Sequence, residues 1–207
     1  YAGIAKCNDD LLFNWQCRYC QSLGSGNRVH KVLSNSNLQT KGVIVVNEGR
    51  KEIIISFRGT ETEINLIQDI NIVLNDFLDF DNNLFKVRNL KVHNGFLTMT
   101  NSLFESMVQS LQELLRQDQG YTLIFTGHSL GGAIAGLSAV KAYYKLNLPK
   151  ERIKVFTFGQ PRLGNKEYAS YVNQLGLTYY RMVNYNDPVP HAPPRLFGYF
   201  HHSLELF

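Results

Sequence analysis

The stretch that decides the fold is Thr122-Leu123-Ile124-Phe125-Thr126-Gly127-His128-Ser129-Leu130-Gly131-Gly132-Ala133-Ile134-Ala135-Gly136. Thr122 to Thr126 has the composition of a short strand, and Leu130 to Leu146 is compatible with a helix. Between them stands Gly127-His128-Ser129-Leu130-Gly131, a Gly-x-Ser-x-Gly. A serine on so tight a strand-to-helix turn has strained backbone angles, and side chains on its neighbours would collide with strand and helix. Glycines remove that collision. The small residues Gly131, Gly132, Ala133, Ala135, Gly136 and Ala139 let the helix lie close to the sheet. A Gly-x-Ser-x-Gly is weak evidence by itself, but the preceding strand and following helix are the context that marks a nucleophile elbow. A phosphate-binding loop is disfavoured because no Gly-Lys-Ser/Thr follows.

Working outward, Gly42 to Asn47 and Lys51 to Phe57 are β-branched runs joined by Glu48-Gly49-Arg50, which predicts a hairpin feeding a buried strand. From Phe96 to Leu115 apolar residues recur at helical spacing, with Gly120 marking the stop. Past the elbow helix come a strand at Ile153 to Phe158, a helix at Asn165 to Leu175 and a strand at Thr178 to Val183. Strands alternating with helices predict the α/β class, with a mainly parallel central sheet and helices on both faces. Prolines 188, 190, 193 and 194 then impose a loop at the sheet's carboxyl edge. The 207 residues are expected to form one domain, 1–207. Charged residues are 18% of the chain against a usual value of about 25%, so the surface leans on neutral polar groups. The formal charge is +4, but Lys and Arg are scattered, which argues against nucleic acid as a partner. No apolar run approaches the roughly 20 residues of a membrane helix, and a water-soluble protein without a transmembrane segment is expected. A start at Tyr1 fits a processed precursor.

A serine hydroxyl is a poor nucleophile at neutral pH and needs a base, which in turn needs a carboxylate to orient it. On an elbow fold the chain order is serine, acid, histidine. After Ser129 the acids before the last histidines are Glu151, Glu167 and Asp187, and the histidines are His191, His201 and His202. Glu151 and Glu167 fall at helix ends. Asp187 lies in the loop past the strand ending at Val183, where a carboxylate can face the elbow, although it is also a natural turn former before Pro188. Position alone does not separate His201 from His202.

Four further segments carry a resemblance. Phe57-Arg58-Gly59-Thr60, Val92-His93-Asn94-Gly95-Phe96, Phe158-Gly159-Gln160-Pro161-Arg162-Leu163-Gly164-Asn165 and Asn186-Asp187-Pro188-Val189-Pro190 together resemble the class 3 lipases, secreted mould triacylglycerol lipases related to feruloyl esterases. Gly198-Tyr199-Phe200-His201 with Glu205 resembles that family's closing Gly-Tyr-x-His-x-x-x-Glu. The resemblance covers nearly the whole chain. It implies an α/β-hydrolase fold, a Ser129, Asp187, His201 triad and an oxyanion hole made by the Thr60 and Leu130 amides. It also implies that the Thr60 hydroxyl adds a bond, with Asp69 holding that hydroxyl. The chain departs from the family at Lys6, where a Tyr is usual before the first Cys, and at Leu66, where a lid Trp is common. It also stops at Phe207, so a natural C-terminal tail carrying a partner for Cys7 is expected to be missing.

The implied activity is hydrolysis of acylglycerol esters by a secreted, extracellular enzyme working as a monomer, with no cofactor and no metal. An esterase for aryl or short-chain esters is the alternative, since Thr60 to Leu66 and Tyr168-Ala169-Ser170-Tyr171 also resemble feruloyl esterases. A lipase-like binding module without catalysis is the more distant one. Glu63 to Ile70 is expected to be a mobile lid. On a helical wheel Ile64, Leu66, Ile67 and Ile70 share one arc opposite Asn65, Gln68 and Asp69, which suits transient contact with a lipid–water interface. Of the three cysteines, Cys17 and Cys20 form a Cys-x-x-Cys. A redox motif wants a thioredoxin-like setting and a zinc site wants a second ligand pair, so a Cys17–Cys20 disulfide is expected, leaving Cys7 over.

Overall fold

The computed structural model describes residues 1–60, 72–77 and 89–207. Seven strands form the main sheet in the order β1-β2-β3-β6-β7-β8-β9. They span Asn27–Asn35 (β1), Thr40–Asn47 (β2), Glu52–Phe57 (β3), Thr122–His128 (β6), Ile153–Phe158 (β7), Thr178–Met182 (β8) and Leu204–Leu206 (β9). β1, β2 and β3 pair antiparallel as a meander, and every pairing from β3 through β9 is parallel. A separate ribbon joins β4 (Leu74–Asp76) to β5 (Lys91–His93). The expected α/β class and mainly parallel sheet are both observed.

Ile53-Ile54-Ile55 are buried in succession because both faces of the sheet are covered there. Ile53, Ile55 and Phe57 join Ile44 and Val46 in a core with the helices, whereas Ile54 joins Val43 and Val45 against the N-terminal segment. That segment consists of the helices α1 (Asp9–Phe13) and α2 (Arg18–Gln21), preceded by a turn at Ile4–Lys6. α3 (Asn94–Gln117) buries Phe96, Leu103, Phe104, Met107, Val108, Leu111 and Leu114, the apolar arc legible in its sequence. α4 (Leu130–Leu146) is buried on nearly all sides from Leu130 to Ala142, sandwiched between α3 and the sheet. Its small residues explain how it fits: a methyl group at Gly136 would stand 2.2 Å from the Tyr179 hydroxyl. α5 (Lys166–Leu175) is capped by Asn165, whose Oδ1 accepts from the Tyr168 N–H at 2.9 Å.

Every element expected from β2 to β8 on the main chain path is found with boundaries shifted by at most two residues. None of the described helices is long and apolar enough to cross a membrane.

Candidate active site

The elbow is built by the end of β6 and the start of α4. Ser129 sits between them at φ 55° and ψ −123°, a positive φ that a non-glycine residue adopts only when its surroundings enforce it. Enforcement is visible on three sides. The Ser129 N–H donates to the Phe158 carbonyl at the end of β7, 2.9 Å away, and the Ser129 carbonyl accepts from Gly132 at 2.9 Å. A methyl group at Gly127 would lie 2.2 Å from the Gly131 carbonyl oxygen, and one at Gly131 would lie 2.2 Å from that of Phe57. The glycines flanking Ser129 thus allow the turn to close and the end of β3 to press on the start of α4.

The segment after β3 lies directly against the serine. A Cβ on Gly59 would stand 2.4 Å from the His128 carbonyl and 3.6 Å from the Ser129 Cβ. Arg58 anchors this segment by donating through Nη2 to the Gln39 carbonyl at 2.6 Å. Thr60 follows, with its Oγ1 buried and making no hydrogen bond. Leu130 contributes the first amide of α4, one of those a helix leaves without an internal partner. The segment leading to Thr60 thus packs against the nucleophile, and Leu130 follows it directly in the chain. The Thr60–Asp69 contact and the lid residues Ile64, Leu66, Ile67, Asp69 and Ile70 lie outside the described residues.

On the other side of the elbow stands Asp187. A methyl group on Gly159, which has φ 56°, would be 2.4 Å from Asp187 Oδ2, so the carboxylate rests on the backbone that also receives the Ser129 amide. Its other oxygen, Oδ1, accepts from the Val189 N–H at 2.9 Å. The turn-forming reading of this residue is thus realised through Oδ1, while Oδ2 lies over Gly159. The motif from Phe158 to Asn165 ties these parts together. Arg162 donates to the carbonyls of His191 and, at 2.9 Å, Pro193, which fastens the proline-rich loop carrying Asp187. Gly164 accepts from the Phe200 N–H at 2.9 Å, which fixes the residue before His201. Sequence reading placed Arg162 in a motif without seeing what it holds.

His201 and His202 sit in different surroundings. His202 is buried, with its ring edge-on to Tyr179 and Tyr168 at centroid distances of 4.7 and 5.9 Å. Burial holds its pKa well below the ordinary value, helped by the charge of Arg181. The His201 Nε2–H donates to the Pro190 carbonyl at 2.7 Å; a carbonyl only accepts, so this nitrogen carries the proton. Burial lowers the His201 pKa to about 3, with the positive charges of Arg181 and Arg162 and the nearby His191 adding to it. The Pro190 hydrogen bond acts in the opposite direction. The neutral ring then presents a bare lone pair at Nδ1, which is buried and without a partner, as is the Ser129 hydroxyl. Ser129 follows β6 and Asp187 follows β8, both at the carboxyl edge of the sheet, while His201 precedes β9 and bonds to the Pro190 carbonyl in the loop that carries Asp187; among the described residues no hydrogen bond joins the three.

At the N-terminus the expected pairing is corrected. The disulfide joins Cys7 to Cys17, with Cα atoms 6.1 Å apart, and Cys20 is the free, buried thiol. The reason is the local path: the turn at Ile4–Lys6 brings Cys7 beside the start of α2, where Cys17 is the cap residue and its sulfur accepts from the Cys20 N–H at 3.3 Å. Cys20 Sγ remains 2.6 Å from Cys17 Sγ.

Residues 54–197 match the family model described as lipase (class 3). The chain belongs to the class 3 lipase family. A curated Rhizopus niveus lipase is 33% identical over 99% of this chain, and a Rhizomucor miehei lipase 33% over 93%. A Fusarium solani protein called secreted mono- and diacylglycerol lipase 1 is 32% identical over the full chain. The chain spans 52%, 51% and 60% of these three relatives, about half of their length in the first two cases. Among solved structures, Rhizopus niveus lipase II superposes with a TM-score of 0.89 at 32% identity, covering 99% of this chain and 75% of that one. A triacylglycerol lipase whose catalytic centre is described as a serine protease triad gives 0.87 at 31%, again covering 99% and 75%. The expected class 3 lipase membership and α/β-hydrolase fold are therefore found. Tyr168 and Tyr171, part of the feruloyl-esterase likeness, are buried core residues here.

Proposed function

We propose that this class 3 lipase chain hydrolyses carboxylic esters of acylglycerols, with Ser129 as nucleophile, His201 as base, Asp187 as the acid that orients it, and Thr60 and Leu130 as oxyanion donors. The observation that carries this reading is the enforced positive φ of Ser129, with the Thr60 segment pressed on one side of it and the Asp187 carboxylate on the other. Support for the substrate class comes from the relatives, which are named lipases and acylglycerol lipases.

In the first step Ser129 Oγ bonds to the ester carbon while His201 takes its proton, and the amides of Thr60 and Leu130 receive the charge that develops on the carbonyl oxygen. Collapse expels the alcohol, which recovers the proton from His201, and leaves an acyl-enzyme. Water then repeats the sequence and releases the fatty acid. The ring of His201 must turn to take this role, because its Nε2 is held by the Pro190 carbonyl. A half-turn about Cβ–Cγ exchanges Nδ1 with Cδ2 and Nε2 with Cε1 in nearly the same plane. The Pro190 carbonyl then faces a C–H, and the nitrogens take the two positions that carbons occupy now. The Asp187 carboxylate fixes the resulting tautomer and stabilises the imidazolium.

The apolar arc Ile64, Leu66, Ile67 and Ile70 follows Thr60 in sequence and is the segment we assign to contact with the lipid–water interface. Secretion is consistent with the relative named as secreted. We take the working unit to be a monomer. The test is the rate on an emulsified long-chain triacylglycerol against a dissolved aryl ester, measured across the solubility limit. Faster turnover of the triacylglycerol, a rate rise at that limit and loss of several orders of magnitude in Ser129→Ala are expected. Preference for the dissolved aryl ester with no rise would replace the lipase reading by the esterase one.

A further inference from the structure

The strand β8 carries one residue that its neighbours do not explain. Thr178-Tyr179-Tyr180-Arg181-Met182 places a guanidinium inside the sheet, and Arg181 is buried. A buried charge has to be paired and hydrogen-bonded to be tolerated. Arg181 meets both conditions through groups next to the proposed base. Its Nε donates to the carbonyl of His202 at 2.6 Å, and its Nη1 donates to Glu205 Oε2 at 2.8 Å. Glu205 lies on β9, which pairs with β8 in a register that sets Arg181 opposite Glu205. The guanidinium thus grips both ends of the short segment that follows His201.

We propose that Arg181 and Glu205 are positioning residues for His201: the guanidinium fixes the peptide after the base, and the carboxylate fixes the guanidinium. This rests on the reading of His201 as the general base. Three features make the clamp more than a structural ion pair. The bond goes to a backbone carbonyl, so it determines where the chain leaves His201 and not merely whether β9 is attached. The preceding side is fixed independently, because the Phe200 N–H donates to Gly164 at 2.9 Å. His201 is therefore suspended between two anchors, and only the ring remains to turn. Finally, the guanidinium's charge reaches the ring itself. The charged or titratable groups acting on His201 are Arg181 from β8, Arg162 from the loop after β7 and His191 from the turn at Val189–His191, and Arg181 leads after burial.

A base held between anchors is sensitive to small displacement, since misplacement by about 1 Å can cost on the order of 100-fold in rate. Replacing Arg181 by Met removes both the grip and the charge. Replacing it by Lys keeps the charge but not the two-directional fork. Glu205→Gln keeps an acceptor for the guanidinium and removes only the charge, so it is the variant most certain to fold. The experiment is the pH dependence of kcat/KM, with separate kcat and KM, for the wild type, Arg181→Lys, Arg181→Met and Glu205→Gln. Each is normalised to folded protein, read from its thermal melt, so that unfolded protein does not count.

The clamp predicts a kcat lower by roughly 10- to 100-fold in Arg181→Met with KM within about threefold. It also predicts that the acid limb moves to higher pH, because loss of a nearby positive charge raises the pKa of a histidine. Arg181→Lys should lose kcat while keeping the acid limb, and Glu205→Gln should show a smaller loss of kcat. If normalised kcat is unchanged in Arg181→Lys and Glu205→Gln, the pair is only a strand tie and the proposal fails. If His201→Ala itself retains activity, the underlying assignment of the base fails instead.

Discussion

A methyl group on Gly159 would occupy the space of Asp187 Oδ2, and the residue's φ of 56° would strain any side chain as well. Alanine there must push the carboxylate off its seat or tilt the end of β7, the strand whose last carbonyl receives the Ser129 amide. Gly159→Ala should therefore lower kcat by about 10- to 100-fold, since the acid that orients a base loses its geometry. It should also lose about 1 kcal/mol or more of stability from the backbone alone. Steady-state kinetics with thermal melting check this, and unchanged kcat in a stable Gly159→Ala would remove Asp187 from the acid's role. At this scale the sequence was informative where chemistry constrains residue type. The elbow serine was legible because its flanking glycines are steric requirements, and the placement of Asp187 because it lies past a strand end. Arg181 left a weaker signal, a lone cation in an apolar strand, that only its burial and partners make meaningful. The direction of the His201 ring left none, because one hydrogen bond to Pro190 decides it.

Elements with strong periodicity were read almost to their ends, as α3 and α4 illustrate: each has a pattern set by what it packs against. β1 was missed. Its residues Asn27 to Asn35 mix Arg, His, Lys and Asn among three aliphatics, since it is an edge strand paired only with β2 in the main sheet. β9 was missed because three residues after a histidine pair do not make a pattern, and it exists through pairing with β8. The disulfide was misassigned for a related reason. Spacing favours the near partner, Cys20, whereas the folded path of residues 1–20 sets Cys7 against Cys17. The motif from Phe158 to Asn165 shows the reverse case, in which the sequence was recognised before its work was visible: it bonds to the elbow, to the proline loop and to the residue before His201, and its Asn165 caps α5.

For the molecule as a whole, two histidines held neutral make stability depend on pH. His201 and His202 both have folded pKa values below that of an unfolded histidine, near 6.5, so the unfolded chain binds protons first as pH falls. Their contribution is complete above about pH 6.5 and is lost progressively toward the folded value of about 3 for His201. Denaturant midpoints should thus fall between pH 7 and pH 5, before most carboxylates titrate, and His202→Phe should flatten the slope. A slope identical in that variant would mean that His202 is not kept neutral by its burial. The central claim, that the elbow serine is a nucleophile activated by His201, is tested most directly by the rate and site of covalent modification with a fluorophosphonate. A single adduct on Ser129 is predicted, absent in Ser129→Ala and formed far more slowly in His201→Ala and Asp187→Asn. Modification of another residue, or an undiminished rate in His201→Ala, would contradict it.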